Sequence, residues 1–509
     1  MKIDKNSPIP ITHQLEQLLR EQIAAGDLKI GHRLPTEMEL CARLGVSRTP
    51  IRKALGQLVE NGMLVRYPGR GTFVASNNAS SRDVRKIEEI TITVPEDHWC
   101  WPIQQAASAW NEEHPNRPVR IRFQVAAPVQ LRSRLTLAVA QGAAADLSLL
   151  DSVWVAEFAD RGYLEPMTNI DHGVASSLLS DLVSPMVPHH TIHGELVAYP
   201  AEADFAVLWY RKDWFEREGL GTPVTWEQWL TCLNYFQLPE IRDRYHLGSH
   251  SLAFTGGLQA GETTTFQLLP VLWSAGADVI TDYEVVLNSH EARGAVQFVA
   301  DLVRRHRVAS RDVVNVSWNG PALSLAAGGV AMALGGSYEA ELIRAAAGWE
   351  IDEFLARVGF LPIPAGPGGE QATLLGGLSY GIYRQSGQKE LALGLLARAM
   401  RPDILRVWCA RTSTNPPTVS GAQALDAASE PFLHATSQLF RHARTRWPIA
   451  EYARVSATLA RMFESAILGE SEPDDAVARA SVVISGITGL PERGAPRRNS
   501  ALVATGSRH

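Results

Sequence analysis

The sequence predicts a multidomain protein: a small α+β head made of helices and a two-stranded wing, then a large α/β body. Three observations carry this. The chain has 509 residues, more than one hydrophobic core serves, and suggests about three compact units. Residues 1–75 hold three helical stripes followed by two short strand-like runs around a Pro-Gly turn. From Ile87 onward strand and helix patterns alternate, which argues for an α/β fold with mainly parallel sheets.

In the head, Ile11, Leu15, Leu18, Leu19 and Ile23 share one helix face, and Gly26 ends that helix. Thr36-Glu-Met-Glu39 is a capping box that opens a second helix. Gly45 can take the left-handed conformation that stops it near Leu44. Ser47 caps a third helix, with Pro50 in its first turn, where a missing N–H does no harm. Its buried face is Ile51, Leu55, Leu58 and Val59, and Arg48 and Arg52 share a different face. Leu64-Val-Arg66 and Thr72-Phe-Val74 form a wing turned by Pro68-Gly-Arg-Gly71, with Arg70 at its tip. A helix that presents arginines and small hydroxyls from its first turn suits the major groove. There Arg bonds guanine O6 and N7, and Ser47 and Thr49 reach phosphate.

Residues 8–75 resemble the DNA-binding domain of the GntR family of bacterial regulators. The match runs from Pro8-Ile-Pro through Gly31-His-Arg-Leu-Pro-Thr-Glu37 to Gly69-Arg-Gly-Thr-Phe-Val74. The resemblance implies binding of double-stranded operator DNA as a homodimer. Its DNA-facing positions correspond here to Arg33, Thr36, Glu37, Ser47, Arg48, Thr49, Arg52, Gly69, Arg70, Gly71 and Thr72. Charge agrees: residues 1–80 hold 11 Lys/Arg against 7 Asp/Glu, and the rest hold 37 against 47. A basic head on an acidic body fits nucleic-acid contact through the head.

Residues 76–86, small and polar, form a linker. In the body, Ile90–Val94 and Val119–Val125 are strands, and Asp146–Leu150 is a third that ends at Asp151. Helices Ile103–Glu113 and Leu131–Gln141 lie between them. Ligands sit beyond the carboxyl ends of such strands, so Pro95 to Trp99 and Asp151 to Trp154 are candidate pocket edges.

Residues 87–487 resemble the maltose-binding type of extracellular solute-binding protein (family 1). Four stretches carry the likeness: Asp146 to Phe158, Tyr199 to Asp213, Leu272 to Ala277, and Gly329 to Tyr338. Gly359-Phe-Leu-Pro-Ile-Pro364 and Gly376-Gly-Leu-Ser-Tyr380 add to it. The resemblance implies a two-lobed, periplasmic-binding-protein-like α/β fold, with crossings near 199–206, 315–322 and 364–378 and a small-molecule effector, a sugar, in the cleft. Sugar sites stack aromatic rings on pyranose faces and bind hydroxyls with carboxylates or backbone N–H groups. Positions that match the family's cleft are Glu96, Asp97, Asp151, Asp204, Trp273, Tyr338, Gly376 and Gly377, with Trp154, Glu202, Trp318 and Tyr380 as neighbours. Ala201 stands where many sugar binders have an aromatic, and Asn415 to Ser420 lacks the arginine many carry nearby. Glu202 with Asp204 leaves a cationic ligand open. Asp151 as a helix cap and Trp273 as core are the bland alternatives. Trp209, Trp214, Trp226 and Trp229 are assigned to packing.

Other chemistries find little footing. Cys41, Cys100, Cys232 and Cys409 are too dispersed for a zinc site or a disulfide framework. Gly377-Leu-Ser-Tyr-Gly381 fits a nucleophile motif but is followed by a strand rather than a helix. His189, His190 and His193 lie where a hairpin is expected, so no metal is assigned. No phosphate-cradling loop is present, and no cofactor and no enzymatic activity are expected. No apolar run nears the ~20 residues that span a bilayer, and the N-terminus has no apolar leader core, so the expectation is a cytoplasmic protein with no membrane partner. Residues 488–509, rich in Pro and Arg, are expected to be disordered. The resulting expectation is a ligand-responsive transcription regulator. Its rivals are a DNA-binding protein whose body only dimerises and an enzyme acting on bound carbohydrate.

Overall fold

The computed structural model describes residues 11–24, 28–29, 31–60, 63–67, 71–75 and 87–494. The chain divides into two compact units, Met1–Lys86 and Ile87–His509. In the first, α1 (Ile11–Ala24), α2 (Glu37–Leu44) and α3 (Arg48–Glu60) precede β1 (Leu64–Tyr67) and β2 (Gly71–Val74). The strands pair antiparallel, Leu64 opposite Val74. Leu15, Leu19, Leu40, Val46, Ile51, Leu55, Leu58, Leu64 and Val74 form the core. The Thr36–Glu39 capping box is present in full. Pro68, Gly69 and Arg70, at the wing turn, lie outside the described residues, as do the linker 76–86 and the chain from 495 to 509.

The second unit opens with β3 (Glu88–Val94), β4 (Val119–Val125) and β5 (Leu147–Asp151). β3 lies between its two parallel neighbours, with Glu88 opposite Val119 and Ile92 opposite Leu147. A hairpin, β6 (Thr191–Ile192) and β7 (Glu195–Leu196), follows, and β8 (Tyr199–Pro200) ends this first pass. The chain then enters a second sheet as β9 (Asp204–Arg211), and β10 (Leu252–Ala253), β11 (Met332–Gly336), β12 (Val358–Leu361) and β13 (Thr373–Gly376) stay there. β14 (Leu378–Ile382) returns to the first sheet, and β15 (Ala443–Arg444) goes back to the second. The sheet orders are β4-β3-β5-β14-β8 and β10-β11-β9-β13-β15, with β12 beside β9. Each sheet with its helices is one lobe.

Three expectations need correction. The sheets are mixed rather than mainly parallel: β14 runs antiparallel to β5, and β9 runs antiparallel to β11, β12 and β13. A strand that passes directly from one sheet to the other arrives in the opposite sense, without the helical crossover that keeps neighbours parallel. Residues 315–322 do not cross. They lead into the helix Gly320–Ala326, which packs on β9, β10 and β11, all in the second lobe. The sheet changes fall at Pro200–Asp204, within 199–206, at Gly376–Leu378, within 364–378, and ahead of β15 rather than at 315–322. Residues 488–494, expected within the disordered tail, lie alongside Val285, whose N–H donates to the Pro491 carbonyl, and Arg493 pairs with Glu284 at 2.8 Å.

Candidate functional site

On the head, Ser47, Arg48, Thr49 and Arg52 are exposed at the start of α3, and Arg33 and Thr36 are exposed before α2. Gly71 and Thr72 open β2. Thr36 is chiefly a cap: its hydroxyl accepts from the Glu39 N–H at 3.3 Å. Glu37 faces inward onto cations rather than outward. Its carboxylate accepts from Arg48 Nε at 2.9 Å and from Arg66 Nη2 at 3.3 Å. A carboxylate held this way orients arginines from α3 and β1. Arg66, absent from the sequence-derived set, stands beside Arg48.

In the body, four segments bring charge together between the lobes. Asp151 ends β5 and caps the following turn, accepting from the Val153 N–H at 3.1 Å. Asp204 begins β9 opposite Gly376 of β13. Glu262 opens the helix Glu262–Ser274, and Arg446 follows β15. Arg446 is only 4% exposed. Its Nη1 donates to Glu262 Oε1 at 2.9 Å and its Nη2 to Ser152 Oγ at 3.2 Å. Tyr452 donates to the same Glu262 oxygen at 2.9 Å, and Ser456 bonds the other.

Burial dominates the electrostatics. It pushes Asp204 up to about 7, with Arg446 opposing and Asp151 adding to the rise. It raises Asp151 and Glu262 as well, again against Arg446. Burial would depress Arg446, yet Glu262, Tyr452, Asp151 and Asp204 together hold its pKa above the usual value. The guanidinium therefore stays charged.

Two buried atoms in this group have no hydrogen-bond partner among the described residues: Asp204 Oδ1 and Arg446 Nε. Asp204 Oδ1 and the Arg446 guanidinium both lie beside Gly376. A Cβ placed on Gly376 would lie 2.8 Å from Asp204 Oδ1, 3.0 Å from Arg446 Nη2 and 3.2 Å from the Phe266 ring. Gly376 is thus the floor that lets an acceptor and a donor approach from two sides. Gly377, at φ +136° and with the Glu202 carbonyl 2.7 Å from its would-be Cβ, makes the turn into β14 that only glycine makes without strain. Half-buried Tyr338 has its ring centroid 6.1 Å from Phe266 and 6.4 Å from the exposed Trp318.

The other expected residues fall elsewhere. Trp273 is core, 4% exposed near the far end of its helix from Glu262, with Arg444 above its ring at 4.7 Å. Tyr380 is buried within the first lobe. Trp154 packs on the first-lobe cluster of Leu131, Phe158 and Tyr383. Glu96 and Asp97 are exposed after β3, with Glu96 3.5 Å from His98. Glu202 is 4% exposed, pushed up to about 8 by burial and then by Asp204, and lies toward Thr414 and Leu378. Ser152 falls within the expected pocket edge 151–154, whereas Glu262, Phe266, Arg446 and Tyr452 were not legible in the sequence. No motif marks them, because each becomes a neighbour only through the crossings.

The Ser379 hydroxyl lies 2.8 Å from His190 Nε2, and His190 Nδ1 lies 2.7 Å from the Met186 carbonyl. With Nδ1 as the donor, Nε2 accepts from Ser379. Both residues are fully buried, and burial lowers His190 to about 4. This pair satisfies core polar groups. Among the described residues no His/Cys/Asp/Glu cluster could hold a metal, and no helix is long and apolar enough to cross a membrane.

Comparison with known proteins matches the two-part architecture. Residues 102–402 match the bacterial extracellular solute-binding protein family, and residues 11–74 match the gntR family of bacterial regulatory proteins. A 75-residue stretch, 15% of the chain, is 47% identical to the HTH-type transcriptional repressor NagR of Bacillus subtilis and covers 31% of it. A 65-residue stretch, 13% of the chain, is 49% identical to the Mannosyl-D-glycerate transport/metabolism system repressor MngR of Escherichia coli and covers 27% of it. The chain thus spans about a third of these relatives' length. The fold resembles maltose-bound T. maritima MalE3, with TM-score 0.67, 24% identity, and coverage of 78% of this chain and 99% of that one. It also resembles the GacH receptor of Streptomyces glaucescens, with TM-score 0.68, 20% identity, and coverage of 80% and 100%. The chain belongs to the bacterial extracellular solute-binding protein family through its body, and its head is a gntR-family winged helix-turn-helix.

Proposed function

We propose that this protein is a cytoplasmic, homodimeric transcription regulator that binds a sugar or oligosaccharide between its lobes and changes its grip on operator DNA in response. The observation that carries the ligand class is a pair of buried, unpartnered polar atoms of opposite kind, the acceptor Asp204 Oδ1 and the donor Arg446 Nε. A hydroxyl both donates and accepts, so a sugar's hydroxyls offer a donor to Asp204 Oδ1 and an acceptor to Arg446 Nε. An ammonium group only donates and leaves the guanidinium N–H unmet, and the chain already supplies its own cation to the three acids. The Tyr338, Trp318 and Phe266 rings offer apolar faces next to that pair. Similar solved structures hold maltose, alpha-D-Tagatose or acarbose, and MngR and the probable fructoselysine utilization operon repressor serve sugar-derivative systems by name.

Ligand that prefers one lobe arrangement shifts the population toward it, and the linker passes the change to two recognition helices in a dimer. Only differential affinity for the two states drives this. Thermal-shift screening of the full chain against sugars identifies the effector, and operator affinity is then measured with and without a saturating amount. Equal operator affinities eliminate the switch. A body that only dimerises predicts no sugar shift at all.

A further inference from the structure

We propose that Arg446 is a clamp between the two lobes that works without any bound ligand. Its side chain belongs to the second lobe by its bond to Glu262 at 2.9 Å and by its place near the Phe266 and Tyr452 rings, 6.0 and 5.9 Å from the guanidinium carbon. The same guanidinium reaches the first lobe at Ser152 Oγ, 3.2 Å away. Its backbone makes a second tie: the Arg446 carbonyl lies 2.5 Å from Nε2 of His189, a first-lobe residue. Burial, then Arg446 and His190, lower His189 to about 3, so the imidazole is neutral and Nε2 carries the proton it donates.

Three properties make this a clamp rather than ordinary packing. The contacts are polar and directional, so they exist in one lobe arrangement and break when the lobes separate. They come from one residue on the segment after β15, where the chain re-enters the second sheet, so a single side chain couples the lobes at the hinge. The guanidinium is planar with donors on two edges and bridges two acceptors at once, which a lysine ammonium on its narrower reach does not reproduce. Opening the lobes strips the guanidinium of its first-lobe acceptor Ser152 and the Arg446 carbonyl of its His189 donor, and both changes disfavour the open state.

The test is hydrogen exchange on the full-length protein with no sugar added, comparing wild type with Arg446→Ala. Loss of the clamp is expected to speed exchange about fivefold, the worth of roughly one hydrogen bond, in first-lobe peptides around Ser152 and His189 as well as second-lobe peptides around Glu262 and Tyr452. The head serves as internal reference and stays unchanged. Faster exchange confined to the second-lobe peptides, or no change in either, overturns the clamp. Should Arg446→Ala not fold, Ser152→Ala removes only the first-lobe hydroxyl. A smaller rise in the same first-lobe peptides supports the tie, and none refutes it. Because no ligand enters the measurement, its outcome is separate from that of the sugar screen.

Discussion

Arg48 and Asp204 are single residues whose removal separates the two functions. Arg48 is exposed on α3 and steered by Glu37. Arg48→Ala is expected to weaken specific operator binding by about 1–3 kcal/mol, the worth of one bidentate base contact, and to leave the sugar thermal shift intact. Asp204→Ala is expected to abolish that shift and leave ligand-free operator affinity unchanged. Gel-shift and thermal-shift measurements on both variants check the crossover; parallel losses in both assays contradict it. Gly376 is more restrictive than either. A methyl there would sit 2.8 Å from Asp204 Oδ1, so Gly376→Ala is expected to remove ligand binding and to cost about 1–3 kcal/mol from overpacking. Unchanged sugar affinity in this variant would mean that the ligand does not use the space beside Gly376.

At the scale of elements, the turn after β11 shows how burial sets pH behaviour. Glu339 is fully buried and its Oε2 accepts from the Gly336 N–H at 3.0 Å and from Trp209 Nε1 at 3.3 Å, while Oε1 has no partner among the described residues. Burial pushes this carboxyl up to about 8. A carboxyl raised on folding stabilises the fold fully below its unfolded value near 4.5 and loses that contribution as pH rises through about 8. Glu339→Gln keeps the acceptor and removes the charge. It is expected to match wild type near pH 5 and to gain about 2–4 kcal/mol near pH 8, read as a higher melting temperature of the body. Equal melting temperatures at both pH values would contradict the raised carboxyl. The head's elements follow the opposite logic. Its helix ends are set by local chemistry, such as the Thr36 cap of α2, and burial of titratable groups plays little part in them.

For the whole molecule, the sequence made some features legible and left others hidden. The head was readable almost residue by residue, because capping boxes, helical stripes and short strand pairs are decided within a few positions. The body's family was readable from ordered stretches, and the structure brings Asp151, Asp204, Tyr338, Gly376 and Gly377 together near the lobe junction. Trp273 was misplaced because an aromatic on an apolar helix face looks the same whether it meets a ligand or core. Glu202 feels the charge of Asp204, two residues away, yet its hydrogen bonds go to Thr414 and Leu378.

Local pattern by itself determined that this chain has a DNA-binding type of head, a two-lobed receptor type of body, and glycines at the junction of the sheets. Those properties depend on periodicity, turn chemistry and chain order, which are written in neighbouring residues. Only the tertiary structure decided that an acidic cleft is closed by the chain's own guanidinium. Asp151, Asp204, Glu262 and Arg446 lie on four separate segments. Burial joins them in a low-dielectric space where each group's charge depends on the others.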